Sequence, residues 1–500
     1  MEARTPPFEE TLSGDLAAYD RAHKRPRHRS PTEGGKVLGL GEAFVKTIHH
    51  FWPGLSRQLD ALPDTRYEPF VEYDRKFLTW WGLLLFSFKL GSRRQLDYDL
   101  RDNDTEVLDN VNRLAGTRQK SLPVHKTLDH FLGHVGSGAL AQLRTWCVRR
   151  LIRMKALDAC RLMGRFIIAL DGSGFLVFHR PHCPQCLTQK SGKTTVYLHN
   201  ILEAKLVDSQ GLALSVGTEF IENPIRENGT EITKPQSETA LSDYEEIKQD
   251  CELKAFARMA PKLKKDFPQT RLCISADSLF ACGPAIHICE QHQWSYIFTF
   301  KQGRTPDLWQ DFKGLLTLVP ENSLSLTLPK DVRQLYRWVN EITYVDSDKR
   351  SHTFNAILCK ETSPAETHTF AWITDLKVNQ DSVVAIASQG GRQRHKIENQ
   401  GFNIQKNSGL NLEHAYSFNQ DNIKAFYYLL QIAHIFLQLL ELGSLLKHLA
   451  KAYKTTPVRL FGSLKNMARR LLECFRYFRI PDHAFDLLSA ARFQIRLDTS

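Results

Sequence analysis

The sequence predicts an α/β protein: a mixed β-sheet flanked by helices, preceded by an all-helical segment and carrying an inserted antiparallel β-rich stretch. Three observations predict it. Apolar, β-branched and aromatic runs of strand length fall at 165–170, 196–207, 212–220, 272–276 and 294–300, with a helical stretch near 242–265 between the third and fourth. Residues 37–160 repeat their apolar positions at helical spacing. From 302 to 390 polar and apolar residues alternate, as on a half-buried antiparallel sheet, most clearly at 334–344, 353–359 and 368–373.

In chain order, residues 1–36 are expected to form a disordered basic tail. They hold Pro6, Pro7, Pro26 and Pro31, and the run Arg21–Arg29 has little to bury. Residues 37–160 are expected to form a helical DNA-binding domain, with helices at 44–59, 73–90, 93–100 and 140–163 and another starting within 121–128. Arg93, Arg94, Arg113, Arg118, Lys120 and Lys126 cluster at its turns. The core then reads as 161–301, interrupted by the β-rich insertion 302–390 and resumed at 391–450, with a C-terminal helical segment at 451–500.

Five hundred residues are ample to bury a core, and 42% hydrophobic with 24% charged residues is ordinary for a globular chain. The net charge of +11 favours a polyanionic partner, because Lys and Arg displace counterions from a phosphate backbone. Ten cysteines are too few for a disulfide scaffold, and the start Met1-Glu-Ala-Arg-Thr-Pro-Pro lacks signal-peptide order, so a reducing cytoplasm is expected. No membrane partner is expected. The apolar stretch 77–88 is too short for a bilayer, and 425–446 carries Gln431, His434, Gln438 and Glu441 as a polar stripe on an amphipathic helix.

Three acids stand out within this pattern. Asp171 ends the run Phe166-Ile-Ile-Ala-Leu170 and precedes Gly172-Ser-Gly174; Asp277 ends Leu272-Cys-Ile-Ser-Ala276; Glu398 closes the basic stretch Arg392-Gln-Arg-His-Lys-Ile. Two carboxylates at strand ends and one on a helix suit hard cations such as Mg²⁺ or Mn²⁺. Two ions about 3.5–4 Å apart can activate an attacking oxygen and stabilise a leaving one in phosphodiester displacement. Gly172 and Gly174 would let substrate or metal approach the backbone closely. Arg394, four residues before Glu398, shares its helix face and can hold a phosphate or orient the carboxylate. Glu413 and Asp421 are alternative third acids if the helix register differs.

These motifs, with Trp372-Ile-Thr-Asp375, resemble the DDE transposases of bacterial insertion sequences, in the insertion-sequence-four-like branch with a β-rich insertion between the second and third acids. The resemblance spans about residues 75–450. It implies a ribonuclease-H-like core, cleavage at terminal inverted repeats and transfer into target DNA, with double-stranded DNA as partner. It implies two Mg²⁺ or Mn²⁺ ions on Asp171, Asp277 and Glu398, with Arg394 beside them. A homodimer on the DNA, paired through the C-terminal helices, and a bacterial, nucleoid-associated location also follow from it. The chain departs from the family where Gly391 and Gln405 replace a Tyr and a Lys, with Lys406 one residue late. A metal-dependent nuclease without strand transfer and a catalytically inactive DNA-binding relative are the rival readings.

A second constellation follows the first acid: His179 and His182, then Cys183-Pro-Gln-Cys186, then His199. Cys183, Cys186, His182 and His199 could hold a structural zinc, or the thiols could be free in a loop. Cys282, His287, Cys289 and His292 read as an ordinary helix, and Trp294, Trp338 and Trp372 as core residues. No phosphate-binding Gly-rich loop and no Ser/His/Asp arrangement is recognisable, which disfavours ATP use and acyl transfer.

Overall fold

A computed structural model describes residues 32–101, 104–191, 194–223, 250–486 and 495–497. The chain folds as two units, one from residues up to Asp158 together with those from Asn403 onward, the other from Ala159 to Phe402. This division differs from the expected one: residues 403–450 belong with the N-terminal helices, and 37–160 do not fold apart from the C-terminal segment.

In the helical unit, α1 (Thr32–Phe51) begins before the expected boundary at 36, while residues 1–31, with the basic run, lie outside the described residues. Pro53 and Gly54 end it, separating α2 (Leu55–Asp60) from what reads in sequence as one helix. The series continues through α3 (Arg75–Ser87), α4 (Arg93–Leu100), α5 (Asp104–Ala115), α6 (His125–Val135) and α7 (Ser137–Arg153). A long helix, Gln420–Leu442, packs against α1, α3, α6 and α7. It is long and apolar enough to cross a membrane, but 94% of its most apolar window is buried within the protein. Phe436 lies 4.7 Å from the ring of Trp52 and 6.0 Å from that of Trp80. Gln431, His434 and Gln438 of the expected polar stripe are buried as well, whereas Glu441 is partly exposed. Gln405 donates to Gln431 Oε1 at 2.8 Å and lies 2.9 Å from His434 Nδ1, so these polar side chains satisfy one another inside the core.

The second unit is built on an 11-stranded mixed sheet. Its strands are β1 (Arg161–Leu162), β2 (Arg165–Phe178), β3 (Leu187–Ser191), β4 (Thr194–Val207), β5 (Ala213–Ile221), β6 (Leu272–Ala276), β7 (Ser295–Thr299), β8 (Ser323–Leu328), β9 (Val332–Val345), β10 (Ser351–Thr362) and β11 (Thr367–Thr374). The order is β3-β4-β2-β6-β7-β11-β10-β9-β8, with β1 on β2 and β5 on β4. Among the described strands only the pairs β2–β6 and β6–β7 are parallel. The expected insertion is therefore not a separate sheet. Antiparallel pairing of β11 with β7, Trp372 opposite Thr299, makes it one edge of the main sheet, and its first element is a helix, Pro306–Leu318.

Two helical layers flank the sheet. On one face α8 (Glu252–Asp266) packs on β4 and β5, where Gly217 leaves room for Met259 and Leu263. Across the other face runs an irregular helix over 383–402, with π-type turns at Ala385–Gly390 and Ile397–Phe402 and a 3₁₀ turn at Gly391–Arg394 between them. Gly390 and Gly391 let this helix lie close. A Cβ at Gly390 would meet Ile297 Cδ1 at 2.4 Å, and one at Gly391 would meet Trp372 Nε1 at 2.4 Å. Arg392 fixes its rotation: the guanidinium bonds Glu361 Oε2 of β10 at 2.8 Å and stacks over Phe370 of β11, 4.3 Å from the ring centre. Trp294, Trp338 and Trp372 are buried, as expected of core residues.

Replacing Gly391 by Ala should cost about 1–3 kcal/mol through overpacking on Trp372. The urea midpoint, at unchanged slope, measures it. A midpoint equal to that of the parent protein would mean that the helix does not depend on this close approach.

Candidate metal centre

The site begins with a register. Strands β2 and β6 run parallel with Phe166 beside Leu272 and Ala169 beside Ser275. Carried two residues further, that register sets Asp171 next to Asp277, and parallel neighbours in register point to the same face. Asp277 follows the last residue of β6, as expected, and its Oδ1 accepts from the Leu279 N–H at 2.9 Å, which locks the turn. Asp171 is different. The strand does not end there but continues through Gly172-Ser-Gly174 to Phe178, because β4 pairs with it along its length, Asp171 opposite Glu203. Asp171 thus sits where β2 outlasts its parallel neighbour.

Glu203 and Lys205 of β4 form the floor on the same face. Both are fully buried, 3.8 Å apart, and Glu203 also accepts from Thr218 Oγ1 at 2.7 Å. The irregular helix crosses above them. Its last turn packs on β2, β4 and β5, and a Cβ at Gly401 would lie 3.0 Å from Lys205 Cδ. This placement brings Arg394 and Glu398 to the acids: Arg394 Nη1 is 3.3 Å from Asp171 Oδ2, and the Glu398 charge acts on Asp171. Arg394 and Glu398 do not lie on a regular α-helix, as their spacing suggests, but in a 3₁₀ turn and a π-type turn. Such turns change how residues are spaced around the axis, and π turns are frequent at functional sites.

A fourth acid joins the three, one the sequence gives no reason to single out. Glu252, the first residue of α8, packs on Gly172 so closely that a Cβ there would overlap it, 1.9 Å from Oε1. Gly172 therefore makes room for Glu252 instead of leaving the approach to Asp171 open. Glu252 precedes no motif, and it reaches the site only because its helix begins at this end of the sheet.

The cluster is electrostatically strained. Burial pushes the Asp171 carboxyl up to about 6; Arg394 opposes the shift, and Asp277 and Glu398 add to it. Burial likewise raises Glu252 to about 7, reinforced by Asp171 and Asp277 and opposed by Arg394. One guanidinium thus faces several carboxylates. The donors are all oxygen, the chemistry that suits Mg²⁺ or Mn²⁺.

The alternative third acids are engaged elsewhere, within the helical unit. Glu413 pairs with Lys406 at 2.8 Å, and Asp421 holds Ser137 at the start of α7, 2.6 Å to Oγ. Gln405, expected to depart from the resembled pattern, is buried and bonded to Gln431. Gly391, the other expected departure, lies against Trp372 with no room for a side chain. The second constellation also converges: the ligand atoms of His182, Cys183 and His199 lie within 4.8 Å of one another, and Cys186 Sγ is 3.3 Å from His199 Nε2. The residues Cys282, His287, Cys289 and His292 lie along a helix, Gly283–His292, and just before it, with Cys289 buried.

No protein-family model matches the chain, and no curated protein matches it. Among solved structures it is similar to the piggyBac transposase in a cryo-EM synaptic complex with hairpin DNA, at a TM-score of 0.34 and 11% identity, over 86% of this chain and 79% of that one.

A raised carboxyl binds its proton more tightly when folded. The Glu252 contribution therefore opposes folding increasingly as pH rises from about 4.5 to about 7 and stays unfavourable above that. In metal-free protein, Glu252→Gln should raise the melting temperature at pH 8 and leave it unchanged at pH 4. An equal effect at both pH values would remove Glu252 from the cluster.

Proposed function

We propose that this chain is a metal-dependent DNA transposase with a ribonuclease-H-like core, cutting at the ends of a mobile element and joining them to target DNA. The observation that carries the reading is the convergence of Asp171, Asp277 and Glu398, with Arg394, at one point on the sheet. The net charge of +11 accords with a nucleic-acid partner.

Asp171, Asp277 and Glu398 would hold Mg²⁺ or Mn²⁺, which supplies Lewis-acid stabilisation of phosphoryl oxygens and a water acidic enough to attack. The residues fit such a cation, since the Asp171 carboxyl, raised by burial and by its acidic neighbours, would be relieved by positive charge. Arg394 already supplies part of that charge. With such a cation held at Asp171, the Arg394 guanidinium would be placed to hold a phosphate of the scissile strand, for which its planar fork is suited. The Glu203–Lys205 pair and the Arg392–Glu361 bond keep the strand and the helix in place.

The test uses the full chain with labelled duplex carrying the DNA ends that flank its gene, in Mg²⁺ or Mn²⁺. Strand cleavage followed by a joined product is expected. Asp171→Ala or Asp277→Ala should reduce both by about 10³-fold or more, because a ligand to such a cation supports several kcal/mol of barrier lowering, while DNA affinity changes little. Cleavage without joining would instead identify a nuclease, and binding without cleavage a non-catalytic relative.

A further inference from the structure

We infer that Cys183, Cys186, His199 and His182 form a structural zinc site at the far end of the β2–β4 strand pair. Cys183 and Cys186 lie in the turn between β2 and β3, and His199 lies on β4 opposite Leu176 of β2. Zn–S bonds of about 2.3 Å and Zn–N bonds of about 2.0 Å at tetrahedral angles require S–S edges near 3.8 Å and S–N edges near 3.5 Å. The Sγ atoms are 3.7 Å apart, and His199 Nε2 is 3.5 Å from Cys183 Sγ and 3.3 Å from Cys186 Sγ. Three atoms thus outline one face of a zinc tetrahedron. His182 supplies the fourth ligand, its donor atom within 4.8 Å of those of Cys183 and His199. Its ring stacks on Phe178, with 4.4 Å between centroids.

The surroundings are those of a metal knuckle. The Cys183 N–H points at Cys186 Sγ, 3.4 Å away, and the Cys186 N–H bonds back to the Cys183 carbonyl at 3.3 Å. Asn223 closes the turn by donating its N–H to the Gln185 carbonyl and its side-chain amide to the Cys186 carbonyl. With Nε2 of His199 turned to the sulfurs, its Nδ1 faces Glu222 Oε1 at 3.6 Å. A carboxylate behind a ligating imidazole fixes its tautomer and strengthens it as a ligand. Two thiolates with two imidazoles suit zinc, which is borderline-soft and accepts a closed four-coordinate site. The site lies about 13 Å along β4 from Glu203, the partner of Asp171, at a rise of about 3.3 Å per residue. It is therefore independent of the acid cluster, but it staples the end of the strand pair that carries Asp171.

The test measures zinc in the purified full chain by mass spectrometry. One ion per chain is expected, retained in Asp171→Ala and lost in the Cys183→Ser, Cys186→Ser double variant. Since that variant risks misfolding, two further measurements use folded protein. Cobalt added to the zinc-stripped parent should give the visible bands of tetrahedral Co²⁺ together with thiolate charge-transfer absorption. Glu222→Gln should weaken zinc by about 10–100-fold in competition with a chelator. A chain that takes up neither zinc nor cobalt, that keeps its zinc in the double variant, or that loses it in Asp171→Ala, overturns the assignment.

Discussion

The parallel register between β2 and β6 is the constraint on which the candidate site rests. With Ala169 beside Ser275, two acids more than a hundred residues apart in sequence become neighbours on one face. A slip of one residue would send one carboxylate to the opposite face, since side chains alternate along a strand. That register is held by the fully buried runs Phe166–Leu170 and Leu272–Ala276, whose side chains each gain about 1.5–3 kcal/mol on burial when large and apolar. The packing of these runs thus determines where the two acids lie. β4 pairs with β2 beyond the point where β6 stops, so the backbone at Asp171 is paired on one side only.

Onto this frame the irregular helix delivers the remaining groups. Its position depends on the absence of side chains at Gly390 and Gly391, and its rotation on Arg392, clamped between Glu361 and Phe370. The strands that read as an insertion therefore anchor the helix that carries Arg394 and Glu398, which is a physical reason for their continuity with the main sheet. The same close packing explains why Gly391 cannot be a larger residue.

The acid cluster is costly to the fold. Asp171 and Glu252 both hold their protons unusually tightly, chiefly because burial disfavours their charged forms. Arg394 offsets part of this, but it is a single charge. Perturbed carboxyls of this kind concentrate at functional positions. The buried Glu203–Lys205 pair beneath is of another kind, since each charge has its partner and Thr218 adds a hydrogen bond.

The elements themselves were legible locally. The strand at Leu272–Ala276, the helix at Arg93–Leu100 and the alternating runs of β9–β11 follow from apolar periodicity, and Asp171, Asp277, Glu398 and Arg394 from their places in or beside such runs. Other features were not. Asp171 reads as a strand end because Gly-Ser-Gly resembles a turn, yet pairing with β4 keeps the strand going. The polar stripe Gln431, His434 and Gln438 reads as a solvent face, yet it is buried and satisfied in part by Gln405, twenty-six residues before Gln431 in the chain. Glu252 carries no local signal at all, because its role depends on the gap over Gly172. Sequence by itself determined which segments become strands and helices and which residue types can do metal chemistry, since propensity and periodicity are local. Which acids meet, which glycine admits which carboxylate and which polar groups are buried were decided by strand register and helix packing, which exist only once distant segments are in contact.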